Sequence, residues 1–154
     1  MDTTGLTVVQ QGIRVVGVSV GTEQFQHDFL QEAVDGEPAK LVRALVPMED
    51  AQTSFQILRL SATSRLSHLL RTVTPSTIDQ AAAKYDALVE WALAPIIAAH
   101  DPTVGQNQIY LGHEALRQAH LPIREGGLGL TSSSSIRGAA YIGCHALVLA
   151  RVVA

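Results

Sequence analysis

The histidines are the first candidates for chemistry in this sequence, because imidazole binds metal ions and transfers protons near neutral pH. The 154-residue chain has six of them: His27, His68, His100, His113, His120 and His145. His113-Glu114 begins like the HExxH motif of zinc peptidases, but Arg117 stands where the second histidine belongs. No other pair has the spacing of three or four residues that places two ligands on one helical face. The sequence therefore predicts no metal site and no cofactor.

Nucleophilic and phosphate-binding motifs are also missing. The serine run at 132–135 is too repetitive to mark one nucleophile, and residues 126–129 (GGLG) lack the lysine and the spacing of a P-loop. Phosphoryl transfer with two metals needs clustered carboxylates, whereas the adjacent acids Glu49-Asp50 stand where a helix is predicted to start. Capping of that helix explains them. We therefore predict that the chain has no catalytic residues and is not an enzyme.

The basic residues are unevenly distributed. The chain has a net charge of −3 with histidine neutral, which gives no support for a free-standing nucleic-acid binder. Residues 40–71 nevertheless carry five basic side chains (Lys40, Arg43, Arg59, Arg65 and Arg71) against Glu49 and Asp50, a local charge of 5 − 2 = +3. A face that follows a phosphate backbone and an ordinary solvated helical surface both account for this stretch.

Composition and length define the class of protein. Hydrophobic residues make up 47% of the chain and charged residues 16%, which excludes an intrinsically disordered chain, and 154 residues suit one domain. The single cysteine, Cys144, excludes an intrachain disulfide, and the first residues do not resemble a signal peptide. We expect an intracellular chain with an irregular segment at 1–11 and a single helical domain at 12–154.

Hydrophobic periodicity predicts a mainly α fold of five to seven helices after a short N-terminal β-strand or hairpin. Residues 12–21 are β-branched between glycines and favour a strand, with a bulge at Gly17 and a partner from residues 6–9 or from another chain. Helices are predicted over 22–34, 39–46, 50–73 (one bent helix or two), 76–99, 107–120 and 135–153. The fourth has the clearest apolar stripe (Ile78, Ala81, Tyr85, Leu88, Ala92 and Ile96), and Pro95 should kink it.

The last predicted helix is apolar nearly all round, which indicates a position in the core or in an interface. It is interrupted by His145 and Arg151 and is too short for a membrane span. We therefore expect the substitution Leu147→Asp to cost several kcal/mol, because it would bury a charge without a partner.

Three ordered segments carry a family resemblance: residues 12–21 (GIRVVGVSVG), 64–73 (SRLSHLLRTV) and 121–130 (LPIREGGLGL). They resemble the region that follows the catalytic palm in reverse transcriptases of non-LTR retrotransposons. The first is similar to the glycine-punctuated strand pair beside the primer, the second to a thumb helix, and the third to a glycine turn beyond the thumb. Order and spacing match over about residues 10–150.

The resemblance implies a thumb-like module without polymerase chemistry. The family's Tyr-x-Asp-Asp motif would precede Gly12, and residues 1–11 do not contain it. In the family, this region holds the template–primer duplex by its backbone. That role would fall here on five phosphate-facing candidates: Arg14, Arg59, Arg65, His68 and Arg71.

Two functions follow from these observations. One is a structural or interaction subunit of a larger protein or ribonucleoprotein assembly, since a strand without its palm neighbours and an apolar helix both favour a partner surface. Its candidate interface residues are Val16, Val18, Val20, Ile142, Leu147 and Leu149. The alternative is binding of an RNA or RNA/DNA duplex backbone through a retained thumb face. Neither a small-molecule substrate nor a membrane span is predicted.

Overall fold

A computed structural model describes residues 11–98 and 111–152 of the chain. Within these residues the fold is mainly α with an N-terminal hairpin, as predicted. The elements are β1 (Gly12–Val15), β2 (Val18–Gly21), α1 (Glu23–Asp35), α2 (Glu37–Leu45), α3 (Ala51–Ile57), α4 (Ser67–Thr72), α5 (Pro75–Ala98), α6 (His113–His120) and α7 (Ser133–Val152). A π-helical turn, Leu58–Ala62, follows α3, and a 3-10 turn, Ile123–Glu125, lies between α6 and α7.

The N-terminal hairpin occupies the segment predicted as one strand. β1 and β2 pair antiparallel, with Val15 opposite Val18. The turn residues Val16 and Gly17 have φ angles of 50° and 78°, and a type I′ turn requires positive φ at both positions. Gly17 is therefore a turn residue and not the predicted bulge. The expected strand partner, residues 6–9, lies outside the described residues.

Two predicted helix starts are confirmed by their caps. The Thr22 hydroxyl accepts the N–H of Phe25 at 3.3 Å, and a carboxylate oxygen of Asp50 accepts the N–H of Thr53 at 3.0 Å. The segment predicted at 50–73 consists of two helices, separated by the π-helical turn and a short turn after it. The predicted helix at 107–120 is seen only as α6, and residues 107–110 lie outside the described part.

The core is organised around α5, which packs against α1, α2, α3 and α7. Its predicted apolar stripe is confirmed: five members are buried and Leu88 is half-buried (the buried ones are Ile78, Ala81, Tyr85, Ala92 and Ile96). The helix starts at Pro75, one residue earlier than predicted, because a proline at the first position gives up no hydrogen bond. It continues through Pro95 to Ala98, with Leu93 and Ile96 buried beside the proline.

Tyr85 connects α5 to the π-helical turn. Its side chain is fully buried, and its hydroxyl donates to the carbonyl oxygen of Ala62 at 2.8 Å. Burial raises the pKa of Tyr85 from the ordinary 10.0 to about 12, because the phenolate would be desolvated.

Removing the Tyr85 hydroxyl is expected to change the alkaline stability of the chain. Between pH 10 and pH 12 tyrosine ionises in the unfolded chain, whereas Tyr85 stays protonated in the folded chain. Protonated Tyr85 therefore contributes fully to the free energy of unfolding below pH 10, and this contribution is lost as pH rises through about 12. Over that range the parent should lose about 2 kcal/mol more than Tyr85→Phe. At neutral pH the variant should be about 1 kcal/mol less stable, since the Ala62 carbonyl loses its partner. Urea denaturation across the pH range measures both, and parallel losses in the two proteins would contradict the assignment.

The start of α7 is fixed by a residue far away in sequence. The Ser132 hydroxyl caps the helix by accepting the N–H of Ser135 at 3.1 Å. The Asp86 carboxylate of α5 accepts the N–H groups of Ser133 and Ser134 at 2.7 and 2.9 Å. It also accepts the Ser132 hydroxyl at 2.8 Å. Asp86 therefore ties α7 to the central helix.

The second half of α7 is not part of the core, and the inference that Leu147 is buried is wrong. Ile136 and Ala140 in the first half pack against the core, but Leu147 is 76% exposed. Its apolar neighbours Ile142, Val148 and Leu149 are also exposed. The last turns of the helix therefore extend beyond the core formed by the described residues. No described helix is long and apolar enough to cross a membrane.

Candidate interaction surfaces

Two of the five candidate phosphate-binding residues hold the hairpin in place. Arg14 forms an ion pair with Glu32 of α1, and its guanidinium lies 4.9 Å from the centre of the Phe29 ring. Nε2 of His68, on α4, lies 3.1 Å from the carbonyl oxygen of Val16 at the hairpin tip. Arg14 and His68 therefore already have intramolecular partners.

Arg59 packs against the glycine turn that precedes α7. The side chain is half-buried, and a Cβ placed on Gly129 would lie 3.2 Å from its Nε. Gly129 has a φ of 69°, so both its conformation and the nearby guanidinium favour glycine. The arginine therefore covers the turn and offers little of itself to a ligand.

Arg65 lies just before α4 and Arg71 lies in its last turn, and both side chains are exposed. Neither forms an ion pair with another described residue. Arg65 lies near the start of α2, where the pKa of Glu37 is lowered, mainly by a hydrogen bond and the charge of Lys40 and to a smaller extent by Arg65. Three of the five candidates thus have contacts within the chain, which leaves Arg65 and Arg71 for an external ligand.

The outer face of the hairpin is apolar. Antiparallel register places Ile13 opposite Val20 and Val15 opposite Val18 on the same face, while Arg14 and the buried Ser19 lie on the other. Ile13, Val15 and Val20 are exposed, and Val16 at the tip is 87% exposed. Of the predicted interface residues here, Val18 alone packs against the core and is half-buried.

The glycine turn between α6 and α7 is folded back onto α6. Gly126 has a φ of 79°, and the N–H of Gly129 donates to the carbonyl oxygen of Leu121 at 2.9 Å. The His120 ring lies between two oxygens, 3.1 Å from the Leu130 carbonyl and 3.0 Å from a Glu90 carboxylate oxygen. The turn is therefore fastened to both α6 and α5.

A cleft between α1, α2 and α5 was not predicted from the sequence. Its volume is about 280 Å³, and Arg43, Lys84 and Trp91 line it together with Val34, Asp35, Ala87 and Leu88. The sequence contained one indication of this cleft: the spacing of Lys84, Leu88 and Trp91 places them on one face of a helix. The contribution of Arg43 from another helix could not be seen from that spacing.

Comparisons with protein families, with curated proteins and with solved structures found no match to this chain. The resemblance to reverse transcriptases stays a prediction from three sequence segments. Among the described residues, no group of three histidine, cysteine or acidic side chains could hold a metal ion. The features left for function are the two apolar surfaces, the two exposed arginines and the cleft.

Proposed function

We propose that the chain is a non-catalytic helical module, derived from a reverse-transcriptase thumb, that serves as an interaction subunit of a larger protein or ribonucleoprotein assembly. The observation that carries this proposal is the exposed second half of α7, where Ile142, Leu147 and Leu149 all face water. Each Å² of apolar surface left in water forgoes roughly 25 cal/mol. Large exposed apolar surfaces mark interaction sites.

The hairpin supplies a second apolar surface. Ile13, Val15 and Val20 are exposed on one face of the hairpin, on which only Val18 packs against the core. Within the described residues the sheet has only these two strands, so its edges can be extended by another chain. Both features suit a module that is completed by a partner.

Leu147→Asp is expected to weaken association without destabilising the fold. In the isolated protein, the exposed second halves of α7 from different copies should associate. Light scattering should therefore show an average molar mass that rises with protein concentration. A charge at this position should weaken that association by about tenfold or more, because it would have to be desolvated in the contact. Thermal stability should change by less than about 0.5 kcal/mol, as for other exposed sites.

Leu60→Asp is the matched control, since Leu60 is 65% exposed but lies in the π-helical turn. It should leave association unchanged. A loss of stability in Leu147→Asp that exceeds that of Leu60→Asp would show that α7 packs on its own chain. A parent that stays monomeric at all concentrations would remove the proposal.

Nucleic-acid backbone binding is the second proposal, favoured by the exposure of Arg65 and Arg71 without ion pairs to other described residues. Guanidinium groups bind phosphates through paired hydrogen bonds. A thumb-like surface would contact the backbone and not the bases.

The double variant Arg65→Ala/Arg71→Ala should bind a structured RNA less tightly than the parent. Because each arginine bound to a phosphate releases counterions, the slope of log affinity against log salt should fall by roughly one unit for each arginine–phosphate pair that is removed. Fluorescence anisotropy at several salt concentrations measures this. Arg117→Ala/Arg124→Ala, on exposed arginines outside the 40–71 stretch, is the control. Equal losses in both double variants, or no binding by the parent, would refute a specific role for these two residues.

A further inference from the structure

The cleft between α1, α2 and α5 combines an aromatic ring with a cation on an apolar floor. Trp91 contributes its indole from α5, and Val34 and Leu88 lie beside it. The volume of about 280 Å³ is just below the ~300–1,000 Å³ of typical small-molecule sites. Such a cleft accommodates a single planar group and not a folded element.

Trp91 is available to a ligand. Its side chain is 53% exposed, although the indole ring is a large apolar group and the core lies next to it. Indole rings bind planar groups by stacking, and base stacking on an aromatic side chain is worth roughly 1–3 kcal/mol. A planar ring in the cleft would cover surface that the fold leaves in water.

The charges on the rim favour an anion. The ammonium group of Lys84 lies 2.7 Å from a carboxylate oxygen of Asp35 and donates to the Gln31 side-chain oxygen at 3.0 Å. The charges of Lys84 and Asp35 therefore compensate each other. Arg43 is exposed and has no ion pair or side-chain hydrogen bond to any other described residue. Its guanidinium is thus the uncompensated charge of the rim, and the guanidinium fork matches phosphate.

We infer that this cleft binds a nucleotide unit, with the base stacked on Trp91 and the phosphate bound by Arg43. The unit could come from a free mononucleotide or from a single strand, since both present the same ring and phosphate. This site is separate from the apolar surfaces proposed for assembly and uses none of their residues. It also uses none of the residues of the Arg65 and Arg71 surface.

The chain contains one tryptophan, so its fluorescence reports on this cleft alone. Titration of the full chain with AMP, and separately with an oligothymidylate of about 8 nucleotides, should quench that fluorescence as the base stacks. Arg43→Gln should weaken binding by about tenfold, whereas Arg124→Gln, on an exposed arginine of the turn between α6 and α7, should leave it unchanged. Both variants change exposed side chains, so their folds should be intact by circular dichroism.

The two probes distinguish the sources. Tighter binding of the oligonucleotide, with quenching that weakens as salt rises, would assign the cleft to single strands. Equal or tighter binding of AMP would assign it to free nucleotides. Absence of quenching by both probes at millimolar concentration would overturn the inference, as would binding that Arg43→Gln leaves unchanged. Calorimetry on Trp91→Leu gives a second check, because the stacking site is removed while Arg43 remains.

Discussion

Replacing Gly127 with alanine is expected to cost about 3 kcal/mol or more and to leave little folded protein at moderate urea concentrations. An added Cβ would lie 2.0 Å from the carbonyl oxygen of Leu121 and 2.5 Å from its carbonyl carbon. Those atoms cannot easily move away, because the same oxygen accepts the N–H of Gly129 at 2.9 Å. The turn would have to open for the methyl group to fit.

Gly126→Ala is the control for this prediction. At Gly126 an added Cβ meets nothing within 4 Å, and the cost arises from the φ of 79° alone. That strain is worth about 1–2 kcal/mol for an L-residue. Urea denaturation of the two variants measures the difference, and equal stabilities would show that the turn is not packed as described.

Asp86→Ala is expected to cost about 3 kcal/mol, because it removes the acceptor for two backbone N–H groups at the start of α7. Asp79→Ala is a close match for comparison. Asp79 also lies on α5 and pairs with Arg137 of α7 at 2.8 Å, but both partners are partly exposed. An ion pair of that kind contributes about 1 kcal/mol or less.

Hydrogen exchange of the α7 amides should separate these two variants. Loss of Asp86 should speed exchange at Ser133 and Ser134 and along the first turns, whereas loss of Asp79 should leave those amides protected. If Asp79→Ala proves as costly as Asp86→Ala, the cap is not what fixes α7.

The sequence predicts best what is local. The helical stripe of α5 and the caps at Thr22 and Asp50 depend on residues within a few positions of one another, and the structure confirms them. The hairpin turn was missed because Val16-Gly17 lacks the Asn-Gly or Asp-Gly signal of a type I′ turn.

Features that depend on distant residues could not be predicted. Nothing near residue 133 indicates that Asp86 would cap α7, since 47 residues separate them. Apolar periodicity shows which residues avoid water but not what covers them, which is why Leu147 was expected to be buried. The cleft combines Arg43 with Lys84 and Trp91 only because α2 packs on α5.

The exposed end of α7 has a consequence for the entropy of binding. A helix of fewer than ~12–15 residues is marginal in water, because the first turn must be nucleated before hydrogen bonds accumulate. Residues 142–152 avoid this step, since they continue a helix whose first half is already packed against α4 and α5. A partner that packs on this segment needs to order only its side chains. The fold thus presents a pre-organised helix, which lowers the conformational cost of association.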